Sequence, residues 1–264
     1  MNQLTPDGVR YFAASEQRVP RPFHYRWLLP KICKKDYRAW KRVTHTALWL
    51  CIPLTYLYVG GGWRGVAAAS MVTGLSGVWH FNRKYPVLVD ATGMTLALSS
   101  AVATQHGLWP LGLALAVVGG CVRETSPIFA ALYAWNPLLL LGLVAPAVRQ
   151  LQREGPDVLD AKNNWILKNQ FKAAREYHDP TIIPRPRYVL PWGAALVALA
   201  NLSPQLALTA GAAYSQMLVA TDTVRLFMWC WPVVLSSAVH AVPLNWLPLL
   251  VALQFANPFA TEGA

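Results

Sequence analysis

The chain has 264 residues, of which 55% are hydrophobic and 13% charged, and its 23 Lys and Arg outnumber its 12 Asp and Glu. Soluble domains carry about 25% charged residues, about twice the fraction found here. This high apolar and low charged content excludes a disordered chain, a coiled coil and a disulfide scaffold. It also argues against a nucleic-acid partner, despite the net charge of +11. The composition is typical of a polytopic membrane protein with its charges in a few segments. We expect an all-α transmembrane helical bundle in the cell membrane.

The charges are concentrated in two polar segments. Residues 1–43 hold ten Lys and Arg, and residues 149–188 hold eight more. Either segment could bind anionic lipid or phosphate groups, or act as an ordinary interfacial anchor. We expect four regions: a basic interfacial segment 1–43, a five-span bundle 44–148, a basic polar loop 149–188 and a C-terminal membrane segment 189–264.

A spanning helix needs roughly 17–25 apolar residues, which predicts about seven spans, within a range of six to eight. Ser203-Pro204 is predicted to break the stretch 189–220, which is too long for one straight span. A shorter segment, 244–259, follows the last span. The predicted spans in chain order are 44–62, 65–81, 86–103, 107–122, 126–148, 189–220 and 226–243.

The predicted spans also determine which loops share a membrane face. An odd number of spans places 1–43 opposite 149–188, and since both are basic the positive-inside rule does not decide the orientation. The loops 82–85 and 121–125 share the face of residues 1–43. Asp222 and Arg225 join them if 189–220 crosses once, so charged residues would converge on one side.

The first group of charged residues lies near the start of the chain. Asp7 precedes Gly8, which suits a turn that presents a carboxylate. Alternatively, Thr5 or Asp7 itself caps a short interfacial helix.

The second group lies at the edge of a predicted span. Arg83 and Lys84 suit headgroup anchoring, in which long cationic side chains reach the interface. Asp90 lies just inside the next span, where an ionisable group is costly and faces a partner or a cavity. The alternative for Asp90 is a structural pair with Arg83 or Lys84.

The last two groups flank predicted spans. Arg123 and Glu124 are adjacent and cannot point the same way on a helix, so we expect each to have its own partner. Thr125-Ser126-Pro127 also resembles the cap and first-turn proline of the next helix. Asp222 and Arg225 have the spacing of a salt bridge on one helical face, and Asp222 alternatively caps the span 226–243.

Carboxylates and arginines near lipid suit transfer from a phosphate-linked lipid carrier. A carboxylate can deprotonate an acceptor hydroxyl, while arginines bind the leaving phosphate. Because the chain lacks a Gly-rich phosphate loop, a lipid-linked sugar donor is favoured over a nucleotide sugar. We expect neither a metal nor a cofactor.

The order Asp7-Gly8-x-x-Tyr11, then Pro22-Phe23-x-Tyr25-Arg26-x-Leu28-x-Pro30, then Arg123-Glu124-Thr125 and Asp222-x-x-Arg225 resembles the bacterial polytopic GT-C-type glycosyltransferases and their uncharacterised membrane-protein relatives. The resemblance implies an extracytoplasmic site and a polyprenyl-phosphate-linked sugar donor. Members carry a transmembrane helix before the acidic loop, so we expect either a relative shortened at its N-terminus or a misplaced start codon.

The resemblance, carried over by position, and the charge pattern together suggest roles for ten residues. Asp7 would be the catalytic base, and Glu124 a second acid or the partner of Arg123. The cations near the lipid phosphate would be Arg26, Arg83, Lys84, Arg123 and Arg225. Supporting structural roles would fall to Tyr11, Asp90 and Asp222.

Two other functions stay open. The chain could be a non-catalytic membrane protein, either a degenerate relative or a subunit of an assembly. It could also be a small transporter with Asp90 and Glu124 as coupling sites, although the halves show no inverted repeat. Membrane lipids are the expected partners under every hypothesis.

Overall fold

The computed structural model describes residues 4–16, 23, 26–151, 189–216 and 223–258, and the regular elements in these ranges are helical, which confirms an all-α chain. The α-helices, in chain order, are α1 (Pro6–Ala13), α2 (Leu28–Cys33), α3 (Tyr37–Tyr58), α4 (Gly62–Met71), α5 (Phe81–Lys84), α6 (Asp90–Gln105), α7 (Trp109–Val122), α8 (Ser126–Ala134), α9 (Val144–Leu151), α10 (Pro204–Gln216), α11 (Thr223–Phe227), α12 (Trp231–Ala241) and α13 (Leu247–Phe255).

Tighter or wider helical turns connect several of these helices. Segments of 3-10 helix cover Val72–Gly74, Pro137–Leu143, Leu190–Asn201, Met228–Cys230 and Leu244–Trp246, and a π-helix covers Ser76–His80. The chain divides into two compact units. The first contains Met1–Cys51 and Asn82–Asn163, and the second contains Ile52–Phe81 and Asn164–Ala264.

Small residues hold the helices of the first unit close together. A Cβ on Gly112 would lie 2.2 Å from the Thr104 hydroxyl oxygen, and one on Gly120 would lie 2.5 Å from the Gly142 carbonyl oxygen. Gly112, Ala116 and Gly120 follow a four-residue spacing of small residues, which lets helix backbones approach closely in membrane proteins.

Short hydroxyl side chains link helices in the same unit. The Thr95 hydroxyl of α6 donates to the Ala47 carbonyl of α3 at 2.9 Å, and the Ser126 hydroxyl of α8 donates to the Gly93 carbonyl of α6 at 2.9 Å. These bonds fix α6 against both neighbours, which positions Asp90 at the start of α6 and the loop before α8 that contains Arg123 and Glu124.

In the second unit, the 3-10 segment Leu190–Asn201 packs against α12 and α13. The buried Gln254 amide bridges two segments there, since it accepts from the Ala195 amide at 3.1 Å and donates to the Gly74 carbonyl at 3.2 Å. Gly193 has φ +56°, a left-handed conformation that suits glycine.

The helices differ in length from the predicted spans. The predicted break at Ser203-Pro204 is confirmed, since a 3-10 segment ends at Asn201 and α10 begins at Pro204. The stretch 126–148 is interrupted at Trp135, whose φ of +52° ends α8. Within the described ranges, no helix has by itself the length and apolarity to cross a bilayer. Arg225–Ala241 and Leu244–Phe255 meet both criteria together but are bent by 116°.

Candidate functional site: a buried charge cluster in the first unit

Arg26 and Glu124 form a bidentate ion pair, although they are 98 positions apart in the sequence. The Arg26 Nε donates to Glu124 Oε2 at 2.7 Å, and the Arg26 Nη2 donates to Glu124 Oε1. Arg26 is 8% exposed, whereas the Glu124 side chain retains 27% exposure. Paired in-plane bonds of this kind are the strongest that a guanidinium makes with a carboxylate.

Tyr11 connects this pair to the first helix. The Arg26 Nη1 donates to the Tyr11 hydroxyl at 2.9 Å. The Tyr11 ring is itself buried, with its centroid 5.0 Å from that of Phe23 and 5.9 Å from that of Trp40. The side chain of Arg26 therefore joins α1 to the loop between α7 and α8.

Arg123 makes a second ion pair, with Asp90 at the first residue of α6. Both side chains are almost completely buried. The Arg123 Nε also donates to the Thr125 hydroxyl at 3.1 Å. The start of a helix favours negative charge, so the position of Asp90 adds to the stabilisation of its carboxylate.

The local backbone explains why neighbouring residues reach different partners. Arg123 has φ −153° and ψ 127°, so the chain leaves α7 in an extended conformation before α8 begins at Ser126. In extended backbone, successive side chains point to opposite sides. The prediction that Arg123 and Glu124 have separate partners is confirmed.

The electrostatics of the outer pair favour the charged forms. Burial alone would raise the pKa of Glu124, but the attraction and hydrogen bonds of Arg26 more than offset it, so the pKa lies below the ordinary value. Burial alone would lower the pKa of Arg26, and Glu124 raises it above the ordinary value. Both residues therefore stay ionised at neutral pH, and Glu124 is poorly suited to accept a proton.

Asp7 lies on α1, one turn before Tyr11. Its carboxylate accepts from the Arg10 guanidinium at 3.1 Å, and the pair is partly exposed. The Thr5 hydroxyl caps the helix by accepting from the Gly8 amide at 3.0 Å. The alternative in which Thr5 caps a short helix is therefore confirmed.

The remaining predicted cations are not part of the cluster. Arg83 and Lys84 are exposed at the end of α5, and the Lys84 Nζ lies 5.4 Å from the centroid of the Tyr85 ring. Arg225 lies in the second unit, where its guanidinium carbon is 5.3 Å from the centroid of the Phe81 ring. Asp222 is outside the described residues, so its predicted pair with Arg225 stays a prediction.

Two features of the cluster were not predicted from the sequence. The partner of Asp90 is Arg123, whereas only Arg83 and Lys84 had been considered. Thr125 is the N-cap residue of α8 as expected, but its hydroxyl binds the Arg123 guanidinium and makes no capping bond. The Thr-Ser-Pro pattern gives no signal for this second role, because it is equally typical of an ordinary helix start.

The four cysteines are largely buried. Cys33, Cys51 and Cys230 are buried, while Cys121 is half-buried. Burial raises the pKa of the Cys33 thiol to about 11, with a smaller contribution from Asp36. Such a thiol is unreactive at neutral pH.

The cluster therefore holds two positive and two negative side chains from three separate parts of the chain. It can fix the N-terminal segment to the α7–α8 loop and hold charge in a fixed arrangement. Comparison of the chain with models of protein families, with curated proteins and with solved structures finds no match.

Proposed function

We propose that the chain is a multi-pass protein of the cell membrane that transfers a sugar from a polyprenyl-phosphate carrier at the extracytoplasmic face. Asp7 is the proposed base. The observation that carries the proposal is the contact of Tyr11, Arg26 and Glu124, which joins three of the sequence motifs on which the resemblance to GT-C-type glycosyltransferases depends.

The surface of the first unit supports the membrane part of the proposal. Large apolar side chains of α7 and the following 3-10 segment are exposed, among them Trp109 at 59%, Leu111 at 51% and Leu138 at 61%. The stretches 107–122 and 126–148 contain no Asp, Glu, Lys or Arg. Extended exposed apolar surface without charge suits contact with lipid or with another protein.

The geometry refines the roles within the proposed site. Arg123 is 4% exposed and paired with Asp90, so a phosphate could reach it only by displacing that carboxylate. Arg83 and Lys84 are exposed, so a lipid phosphate can reach them without displacing a buried partner. Arg123, Glu124 and Arg26 then act as positioning residues that hold α1, and with it Asp7.

The experiment compares two aspartates of the N-terminal segment in the reconstituted full chain. The measurement is consumption of radiolabelled polyprenyl-phosphate hexoses, tested as a panel in liposomes that also contain a bacterial membrane extract as the source of acceptor hydroxyls. Asp7→Asn is expected to lower the turnover at least 100-fold, the usual contribution of a general base.

Asp36→Asn is the matched control. Asp36 is also an exposed carboxylate, and it accepts from the Arg38 amide at 2.8 Å before α3. Asparagine caps as well as aspartate, so this variant should keep the wild-type turnover. Normal donor consumption by a well-inserted Asp7→Asn variant would refute the assignment of the base.

A non-catalytic membrane protein is the second candidate. The observation that favours it is the charge balance of the cluster, in which Glu124 and Arg123 are each occupied by a buried partner. Under this proposal the four residues serve only to assemble the chain. Wild-type protein that inserts and folds but consumes no donor in the panel would support it.

A further inference from the structure

A group of cations covers the surface of α2 and the first half of α3. These six side chains are exposed, and they fall within twelve residues of sequence. The group consists of Lys31, Lys34, Lys35, Arg38, Lys41 and Arg42, and we call it the basic surface.

The cations on α3 form a stripe. Arg38, Lys41 and Arg42 have the spacing i, i+3 and i+4, which places them on one face of the helix. None of the three has a side-chain partner within the described residues. All three side chains are exposed, so within the described part of the chain their charges are not committed to an ion pair.

An apolar side chain lies among the lysines. Ile32 is 61% exposed between Lys31 and Lys34, and the Lys31 Nζ lies 5.6 Å from the centroid of the Trp27 ring. An exposed apolar side chain among cations can enter the headgroup layer of a bilayer while the cations bind its phosphates.

The same helix becomes apolar immediately after the stripe. Trp49 is 63% exposed and Leu50 47% exposed. Lys41 and Trp49 are eight residues apart, which is about 12 Å along an α-helix. This distance would place the cations at headgroup level when the tryptophan and the apolar residues beyond it meet lipid.

The charge of the surface is strongly unbalanced. The nearby acids within the described ranges are Asp36 and Glu16, and Glu16 pairs with Lys35. Six cations therefore face two carboxylates. Because all six cations are exposed and spread along two helices, they suit a plane of negative charge better than an enclosed site for one phosphate.

We propose that the basic surface docks on anionic phospholipid headgroups. This binding is independent of any sugar transfer, and none of the six cations belongs to the charge cluster around Arg26. It would fix the depth and the tilt of α3 at the membrane surface.

The test measures the affinity of the full chain for phosphatidylglycerol and for phosphatidylcholine, each titrated in neutral maltoside micelles by thermophoresis. We expect phosphatidylglycerol to bind at least tenfold more tightly at low salt. The preference should shrink as salt is added, because exposed charges are screened.

A quadruple variant removes four of the six cations: K34Q, R38Q, K41Q and R42Q. It should lose at least tenfold in affinity for phosphatidylglycerol, since each cation near an anionic surface contributes measurably, with unchanged affinity for phosphatidylcholine. Circular dichroism checks its helix content. The double variants K34Q/R38Q and K41Q/R42Q, with smaller expected losses, replace it if it does not fold.

Two further variants separate location from net charge. The variant with K34R, R38K, K41R and R42K keeps the charge and should keep the affinity for phosphatidylglycerol. Neutralising Arg149, Arg153, Lys168 and Lys172 removes the same charge from the second basic segment and should cost clearly less affinity than the quadruple variant. An equal loss in that variant would overturn the proposal, as would the absence of a preference for phosphatidylglycerol. Competition by free glycerol phosphate at the same concentration as lipid would instead indicate a single-phosphate site and would also overturn it.

Discussion

The buried pair of Asp90 and Arg123 can be tested by a double-mutant cycle. The three variants are Asp90→Leu, Arg123→Met and the combination of both. Leu and Met fill similar space without charge, so the cycle separates the loss of a partner from the loss of packing.

The magnitude follows from burial. The side chains of Arg123 and Asp90 are only 5% and 2% exposed, so water cannot replace a missing partner. Removing one member of such a pair costs about 3–5 kcal/mol, whereas replacing both by apolar residues is often neutral or stabilising. We expect each single variant to lose about 3–5 kcal/mol and the double variant to lie within about 2 kcal/mol of the wild type.

The assay is denaturant-induced unfolding of the purified chain in maltoside micelles, followed by circular dichroism. The free energies of unfolding of the four proteins give the coupling energy. A double variant whose loss equals the sum of the two single losses would refute the reasoning. Single losses under about 1 kcal/mol, typical of exposed pairs, would refute it too.

Two other predictions concern packing and pH. Gly120→Ala should lower the free energy of unfolding by about 1–3 kcal/mol, because its Cβ would lie 2.5 Å from the Gly142 carbonyl oxygen. Gly211→Ala is the control and should be neutral or stabilising, since a Cβ there would have nothing within 4 Å. A lower thermal unfolding midpoint for Gly211→Ala than for Gly120→Ala would contradict this prediction. The lowered pKa of Glu124 means that its pair with Arg26 stabilises the fold above the ordinary glutamate pKa of 4.5 and loses that contribution as the pH falls through the lowered value. Acid titration of stability should therefore be steeper for the wild type than for Glu124→Gln, and identical slopes would show that the pair contributes nothing.

Local features of the fold were predictable from the sequence because they depend on neighbouring residues. The Thr5 cap, the break before Pro204 and the start of α8 at Ser126-Pro127 all follow from side chains within a few positions. The divergence of Arg123 and Glu124 was predictable for the same reason, since adjacent side chains cannot share a direction.

Partner choice and helix length were less predictable. Nothing near Glu124 in sequence indicates Arg26, because tertiary packing alone brings residues 98 positions apart together. Asp90 has two cations close in sequence, yet Arg123 pairs with it because α6 packs against α7. An apolar run such as 126–148 also gives no sign that Trp135 adopts a left-handed conformation.

The separation of Arg26 from Glu124 has a consequence for biosynthesis. The ribosome makes Arg26 first, and its carboxylate partner emerges 98 residues later. At 5–20 residues per second this delay is about 5–20 s. The delay between the synthesis of Asp90 and that of Arg123 is a third as long, since only 33 positions separate them. The N-terminal segment is thus synthesised first but cannot complete its attachment until the α7–α8 loop exists.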